Sequence, residues 1–172
     1  VLRCRRRDLA AWDELVAAWN DRLFYFLRQL IDHEHDAANV LQEVWLAAFR
    51  NIGGLRHDTH FAPWIYIIAR RAAMKYYRGR FARDETTSTE VALHEPGSDV
   101  DVQRDFDNAE LVHYGLGRLP LAERELLTLH FLDDLSIAEI ATVLEIPGGT
   151  VKSRLWKARQ SLRRILDEEA TP

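Results

Sequence analysis

The chain has one cysteine in 172 residues. Cys4 has no internal partner, so no disulfide framework holds the fold, and a reducing cytosol suits it. Long apolar runs are missing as well. Trp64 to Ala69 is far short of the ~20 residues that a membrane helix needs, and nothing longer appears. No secretory leader is legible, which sets the expectation of a cytoplasmic chain without membrane insertion. A glycine-rich phosphate loop is absent, because Gly148-Gly149 lacks the preceding strand and the full spacing. The histidines form only two close pairs, His33 with His35 and His57 with His60. Neither pair has the i, i+4 spacing that shares a helical turn, and no cysteine joins them, so no metal and no cofactor is expected. Glu123 and Glu125 lie two apart and would face apart on a helix, and Ser153 has no histidine near it in sequence. The expectation is a chain that is not an enzyme.

Acids are missing from two particular stretches, and this matters more than the net charge of −4. Phe61 to Arg83 carries Arg70, Arg71, Lys75, Arg78, Arg80 and Arg83 with no acid. Gly148 to Ile165 carries Lys152, Arg154, Lys157, Arg159, Arg163 and Arg164, again with none. Between them, Asp84 to Asp107 holds eight acids against Arg104 alone. Local field governs contact with nucleic acid, and here two basic blocks flank one acidic block. Arg3, Arg5, Arg6 and Arg7 read as a solvated basic tail.

At 47% hydrophobic residues the chain can bury a core, and its periodicity is helical throughout. Leu9 to Ile31 places Leu9, Trp12, Leu15, Val16, Trp19, Leu23, Phe26, Leu27 and Leu30 at helical spacing. His35 to Ile52 turns Ala37, Val40, Leu41, Val44, Trp45, Ala48 and Phe49 inward, and Gly53-Gly54 ends it. Gly53 to His60 is a loop, and Phe61 to Arg80 a third helix with Pro63 in its first turn. Asp84 to Asp107 reads as a flexible acidic linker. Four short helices follow, at Ala109 to Arg118, Leu121 to Phe131, Ser136 to Leu144 and Thr150 to Asp167. The fold class is all-α: two small helical domains, 1–83 and 108–172, joined by an acidic linker at 84–107.

Within the second domain, Ile137, Ile140, Ala141 and Leu144 share a face, and Ser136 with Glu139 forms a capping box. Ile146-Pro147-Gly148-Gly149 breaks the chain, the glycines permitting a sharp turn. A helix from Thr150 turns Val151, Leu155, Ala158 and Leu162 inward and leaves its cations outside. A helix-turn-helix with a purely basic outer face suits the major groove of DNA.

Two further segments carry function. In His35 to Arg50, the residues Asp36, Asn39, Gln42, Glu43 and Arg50 lie off the apolar stripe; this is either a solvated face or a docking surface for a large basic or polar partner. In Phe61 to Arg80, cations interleave with Trp64, Tyr66, Tyr76 and Tyr77. Cations hold phosphates and aromatic faces stack on unpaired bases, although these aromatics serve equally well as core.

Together these pieces resemble a family. Asp36-Ala37-Ala38-Asn39-Val40-Leu41-Gln42-Glu43-Val44-Trp45-Leu46 is similar to the helix of sigma-factor region 2. Trp64-Ile65-Tyr66-Ile67-Ile68-Ala69-Arg70 resembles the start of its promoter-melting helix. Leu119-Pro120 with Glu123-Arg124-Glu125, and Gly149-Thr150-Val151-Lys152-Ser153-Arg154-Leu155 with Lys157-Ala158-Arg159, resemble region 4. A chain with only regions 2 and 4 resembles the extracytoplasmic-function (ECF, group IV) sigma factors, from about Asp8 to Asp167. The resemblance implies that Asp36, Asn39, Gln42 and Glu43 bind core RNA polymerase. It implies that Trp64, Arg70, Arg71, Lys75, Tyr76 and Arg78, with the Gly53 to His60 loop, capture and melt the minus-ten element. It implies that Lys152, Ser153, Arg154, Trp156 and Lys157 face the minus-thirty-five element, on base edges or phosphates. It also implies a cognate anti-sigma factor as partner, and a linker that threads the polymerase's RNA exit channel. This chain departs from the family at Arg71, where Asn is usual, and at Lys75, where Asp is common. Both changes add positive charge on the promoter-facing helix. The rival readings are a response-regulator-type DNA binder, which has no use for the Asp36 to Trp45 helix, and a sigma mimic, which tends to lose the recognition-helix cations. A nuclease would need clustered carboxylates.

Overall fold

The computed structural model describes residues 1–55, 60–84 and 108–169. Eight α-helices lie among them: α1 Leu2–Arg5, α2 Leu9–Leu30, α3 Glu34–Asn51, α4 Phe61–Asp84, α5 Asn108–Gly117, α6 Leu121–Leu127, α7 Ile137–Leu144 and α8 Gly148–Glu169. The expected loop residues 56–59, His57 among them, and residues 85–107 of the expected linker lie outside the described residues.

Local chemistry sets the helix ends. Asp8 caps α2, its carboxylate accepting the Ala11 N–H at 3.1 Å. α3 has no side-chain cap but carries Glu34 and Asp36 in its first turn, where carboxylates meet the positive end of the helix dipole. A 3-10 turn at Ile52–Gly54 ends it. Ser136 and Glu139 form the expected capping box on α7. α4 runs on to Asp84, past the expected end at Arg80; no proline or helix-ending glycine cap intervenes there.

Four expectations need correction. The basic start is not a solvated tail: α1 packs on α2, Cys4 is buried with its thiol donating to the Ala11 carbonyl, and Arg3 is ion-paired to Asp8 and Glu14. Leu9 and Phe49 are exposed, Phe49 lying edge-on to Trp12 at the rim of the core. The expected helix from Leu121 to Phe131 stops at Leu127 and widens into a π-type turn over Thr128–Leu132, closed by Asp133 N–H donating to the Thr128 carbonyl at 3.1 Å. That wide turn leaves Phe131 and Leu132 exposed and carries Asp133 inside. Finally, the sharp bend before α8 is made by Glu145, at φ 57, and not by a glycine. Gly148 and Gly149 have negative φ and already belong to α8, because the Pro147 carbonyl accepts the N–H groups of Thr150 and Val151.

The helices form two groups. In the first, α2, α3 and α4 close on Leu23, Phe26, Leu27, Val44, Ile65 and Ala69. In the second, α6, α7 and α8 close on Leu126, Leu129, Ile140, Val151, Leu155 and Ala158, with α5 laid along α8. Gly115 lies where α5 crosses α8, and a Cβ there would stand 2.7 Å from Leu162 Cδ1. The two groups also pack on each other, α4 against α7 and α2 against α6, so that one contiguous apolar core runs through both.

Candidate nucleic-acid and polymerase interface

α8 has the geometry of a recognition helix. Val151, Leu155 and Ala158 are buried, and Leu162 is partly buried behind them. This anchoring turns Lys152, Ser153, Arg154, Trp156 and Lys157 to solvent. Trp156 is 67% exposed, far more than a core tryptophan. Ser153 donates to the Thr150 carbonyl at 3.0 Å, and Lys157 lies 3.6 Å from Glu123. Arg159 stacks over the exposed Phe131 ring at 4.7 Å. Farther along, Arg163 and Arg164 pair with Asp167 and Glu168 one turn on, so the unopposed cations concentrate at the start of the helix.

α4 divides into a buried and a charged face. Tyr66 is fully buried, edge-on to Trp19 and Phe26, and belongs to the core. Trp64 is half-buried against Phe61. Tyr77 donates to the Leu30 carbonyl, and burial raises its phenol above the ordinary range. Arg71, Lys75 and Arg78 are exposed.

The expected polymerase and DNA residues of the first group meet each other. Tyr76 donates to Asp36 Oδ2 at 2.7 Å, and Lys75 Nζ stands 3.1 Å from Glu43 Oε2. Burial, then the bond to Asp36, raises the Tyr76 phenol. A groove between α3 and α4 is lined by Asp36, Asn39, Glu43, Lys75, Tyr76 and Arg78. Asn39, Gln42 and Glu43 are all exposed along α3. The positive charge that Lys75 adds is thus met locally by Glu43.

Six residues whose part sequence reasoning missed lie where the two helix groups meet. Arg70 Nε donates to Glu125 Oε1 at 2.9 Å, and Arg71 Nη2 to Glu145 Oε1 at 2.9 Å. Arg124 reaches back to the carbonyls of Gln29, Gly117 and Leu119, and its burial lowers its pKa. The Tyr25 hydroxyl and His113 Nδ1 hydrogen-bond at 2.6 Å. Asp133 is buried beside Tyr66, and the Tyr66 hydroxyl, directed at its carboxylate, pulls the carboxyl down against the larger effect of burial. Burial pushes the Asp133 carboxyl up to about 6 and Tyr25, with Asp133 adding to it, up to about 12. Glu125 is raised by burial, against the pull of Arg70. Glu145 is exposed and is lowered by its hydrogen bond to Arg71. Glu125 did carry a signal: it falls among Leu121, Leu129 and Thr128 at helical spacing, where a charge implies a buried partner.

Comparison with known proteins agrees with this layout. Residues 15–81 match the family model described as Sigma-70 region 2, and residues 109–162 that described as Sigma-70, region 4. The chain is 31% identical to the RNA polymerase sigma-H factor of Pseudomonas aeruginosa, over 96% of this chain and 91% of that protein. It is 26% identical to the ECF RNA polymerase sigma factor SigW of Bacillus subtilis, over 96% of this chain and 94% of that protein. It is 27% identical to the ECF RNA polymerase sigma-E factor of Escherichia coli, over 94% and 90%. Its fold is similar to CnrH, solved in complex with the cytosolic domain of CnrY, at a TM-score of 0.71 and 24% identity, covering 98% of this chain and 96% of that one. It is also similar to the sigma factor RpoE of Bartonella quintana, solved with the anti-sigma factor NepR, at a TM-score of 0.70 and 19% identity, covering 91% and 97%. With region 2 on α2 to α4 and region 4 on α5 to α8, the chain belongs to the sigma-70 family of RNA polymerase sigma factors, in its ECF class.

Proposed function

We propose that this chain binds core RNA polymerase in the cytoplasm and directs promoter-specific initiation, performing no covalent chemistry itself and needing no cofactor. The observation that carries the reading is α8: an acid-free, solvent-facing start bearing Lys152, Arg154, Trp156 and Lys157 over a buried apolar stripe, held by a capped helix and a tight bend. Such a helix enters the major groove and leaves its cations on base edges and phosphates, here at the minus-thirty-five element. On region 2, the exposed row Asn39, Gln42 and Glu43, with Asp36 beside it, is the polymerase-docking face. Trp64, Arg70, Arg71, Lys75, Tyr76 and Arg78 serve the minus-ten element, cations on phosphates and aromatic faces on unstacked bases. An anti-sigma factor is the expected inhibitor, consistent with the complexes in which the similar folds were solved. No helix of the described residues is long and apolar enough to cross a membrane.

Run-off transcription with core polymerase and a pool of promoter fragments tests this. The wild type directs specific starts, and the Gln42→Ala, Glu43→Ala pair loses most of them while remaining folded. Binding of DNA without ever programming polymerase would instead favour a free-standing regulator.

A further inference from the structure

The promoter-facing arginines of α4 are engaged by region 4. Arg70 meets Glu125, whose side chain is 8% exposed, and Arg71 meets Glu145 in the open, at 72% and 64% exposure. The two pairs form one network, since Arg70 also acts on the Glu145 carboxylate. They are 55 and 74 residues apart in sequence, so they exist only when the two helix groups are packed together. Glu145 is the left-handed residue that joins α7 to α8, so its bond to Arg71 fixes the base of the recognition helix against α4. Arg71 stands where the family usually has Asn, and an Asn there would lack the charge and the reach.

We propose that the chain carries its own latch: in the free protein Glu125 and Glu145 of region 4 occupy Arg70 and Arg71, so that region 4 and promoter phosphates compete for the same two guanidinium groups. The inference rests on the reading that α4 takes promoter DNA. The work divides unequally between the pairs. Arg71–Glu145 is exposed and, like other surface pairs, shifts the open–closed ratio by only ~2–5-fold. Arg70–Glu125 is more sheltered, with the Glu125 side chain 8% and that of Arg70 29% exposed, and reversing the charge at Glu125 sets two cations against each other there, which shifts the ratio more than ~10-fold. A chain that is competent only when open binds more weakly by its open fraction, so releasing the latch raises apparent promoter affinity.

The test uses the full chain with spin labels at Arg50→Cys and Gln160→Cys, both exposed positions, the buried Cys4 staying unlabelled. The wild type gives one narrow distance distribution. Glu125→Arg broadens it to an open population. Arg71→Glu and Glu145→Arg each broaden it in part, and the two combined restore the narrow distribution, because the charges are swapped. All of the charge-swapped positions are on the surface, so that series stays folded even where Glu125→Arg does not. A wild-type distribution as broad as that of the variants, or a swapped pair no narrower than its single members, overturns the latch. A second readout is affinity for a fluorescent minus-ten single strand in the presence of core polymerase, which Glu145→Gln, removing a carboxylate that Arg71 stabilises, raises ~2–5-fold. If distances respond but no variant, nor the wild type, binds the strand, the latch stands and the promoter reading falls. If the strand binds equally to all, with distances unchanged, the promoter reading stands and the latch falls.

Discussion

Asp133 occupies a place where a charge is costly. It lies inside the wide turn after α6, facing Tyr66 and near Arg22, Tyr25 and Asp134, and its carboxyl is raised to about 6 from 3.8. The packed state therefore holds this proton more tightly than an unpacked chain does. Its contribution is fully present below about pH 3.8 and is lost as pH rises through about 6. The amount is of the order of 2–3 kcal/mol. Asp133→Asn removes the buried charge, so the thermal midpoint rises at pH 7.5 by a few degrees, at ~2–4 °C per kcal/mol for a chain of this size. The gain shrinks towards zero near pH 4, where the wild-type carboxyl is already neutral. Thermal melts at the two pH values check this, and an equal gain at both would disprove it. Sequence could not point to Asp133, because Asp133-Asp134 reads as an ordinary polar turn until the π-type turn carries one of them inside. Ser136 and Glu139, by contrast, were readable, since a capping box depends on residues three apart.

At the scale of the element, α7 is the clearest case of sequence dictating shape. Eight residues are too few to be helical alone in water, so the helix depends on its cap and on burial of Ile140 and Val143. Ser136 accepts the Glu139 N–H, and Glu139 accepts from the Ser136 N–H at 2.9 Å. Ser136→Ala breaks this reciprocity and costs about 1 kcal/mol, measurable by urea denaturation. Because α7 holds the base of α8, the same change is expected to weaken the promoter binding proposed for α8; an unchanged denaturation midpoint would refute the cap's role. The start of α8 was misplaced by two residues for a definite reason. Pro147 and the glycines look like a turn, yet Pro147 supplies the first accepting carbonyl and Glu145 takes the left-handed bend. Glycine makes such a bend cheap, but a well-packed neighbour can hold another residue there.

For the molecule as a whole, the segregated charge governs behaviour. In the proposed function Arg71 exchanges Glu145 for a promoter phosphate, so Arg71→Asn is expected to remove one phosphate contact. The slope of log affinity against log salt should fall by ~0.7–0.9 for the holoenzyme on a promoter fragment. Lys75→Ala should change it less, because its partner Glu43 lies on α3 of the same helix group and stays beside it when the two groups separate. Filter binding from low to moderate salt measures both, and a slope indifferent to Arg71 ends the claim that this residue adds a phosphate contact.

Sequence alone determined the all-helical class, the capping box of α7, the buried stripe of α8 and the two acid-free cationic stretches. All of these follow from spacings of three and four residues, which a helix converts directly into a shared face. Tertiary structure decided which charges meet. Lys75 with Glu43, Tyr76 with Asp36, Arg70 with Glu125 and Arg71 with Glu145 join residues 32 to 74 positions apart. It also buried Asp133 and Glu125, and it packed the two helical domains against each other through α4 with α7 and α2 with α6. A pairing across such separations leaves no local periodicity, because it depends on how whole helices pack and on which partner the packing brings within hydrogen-bonding distance.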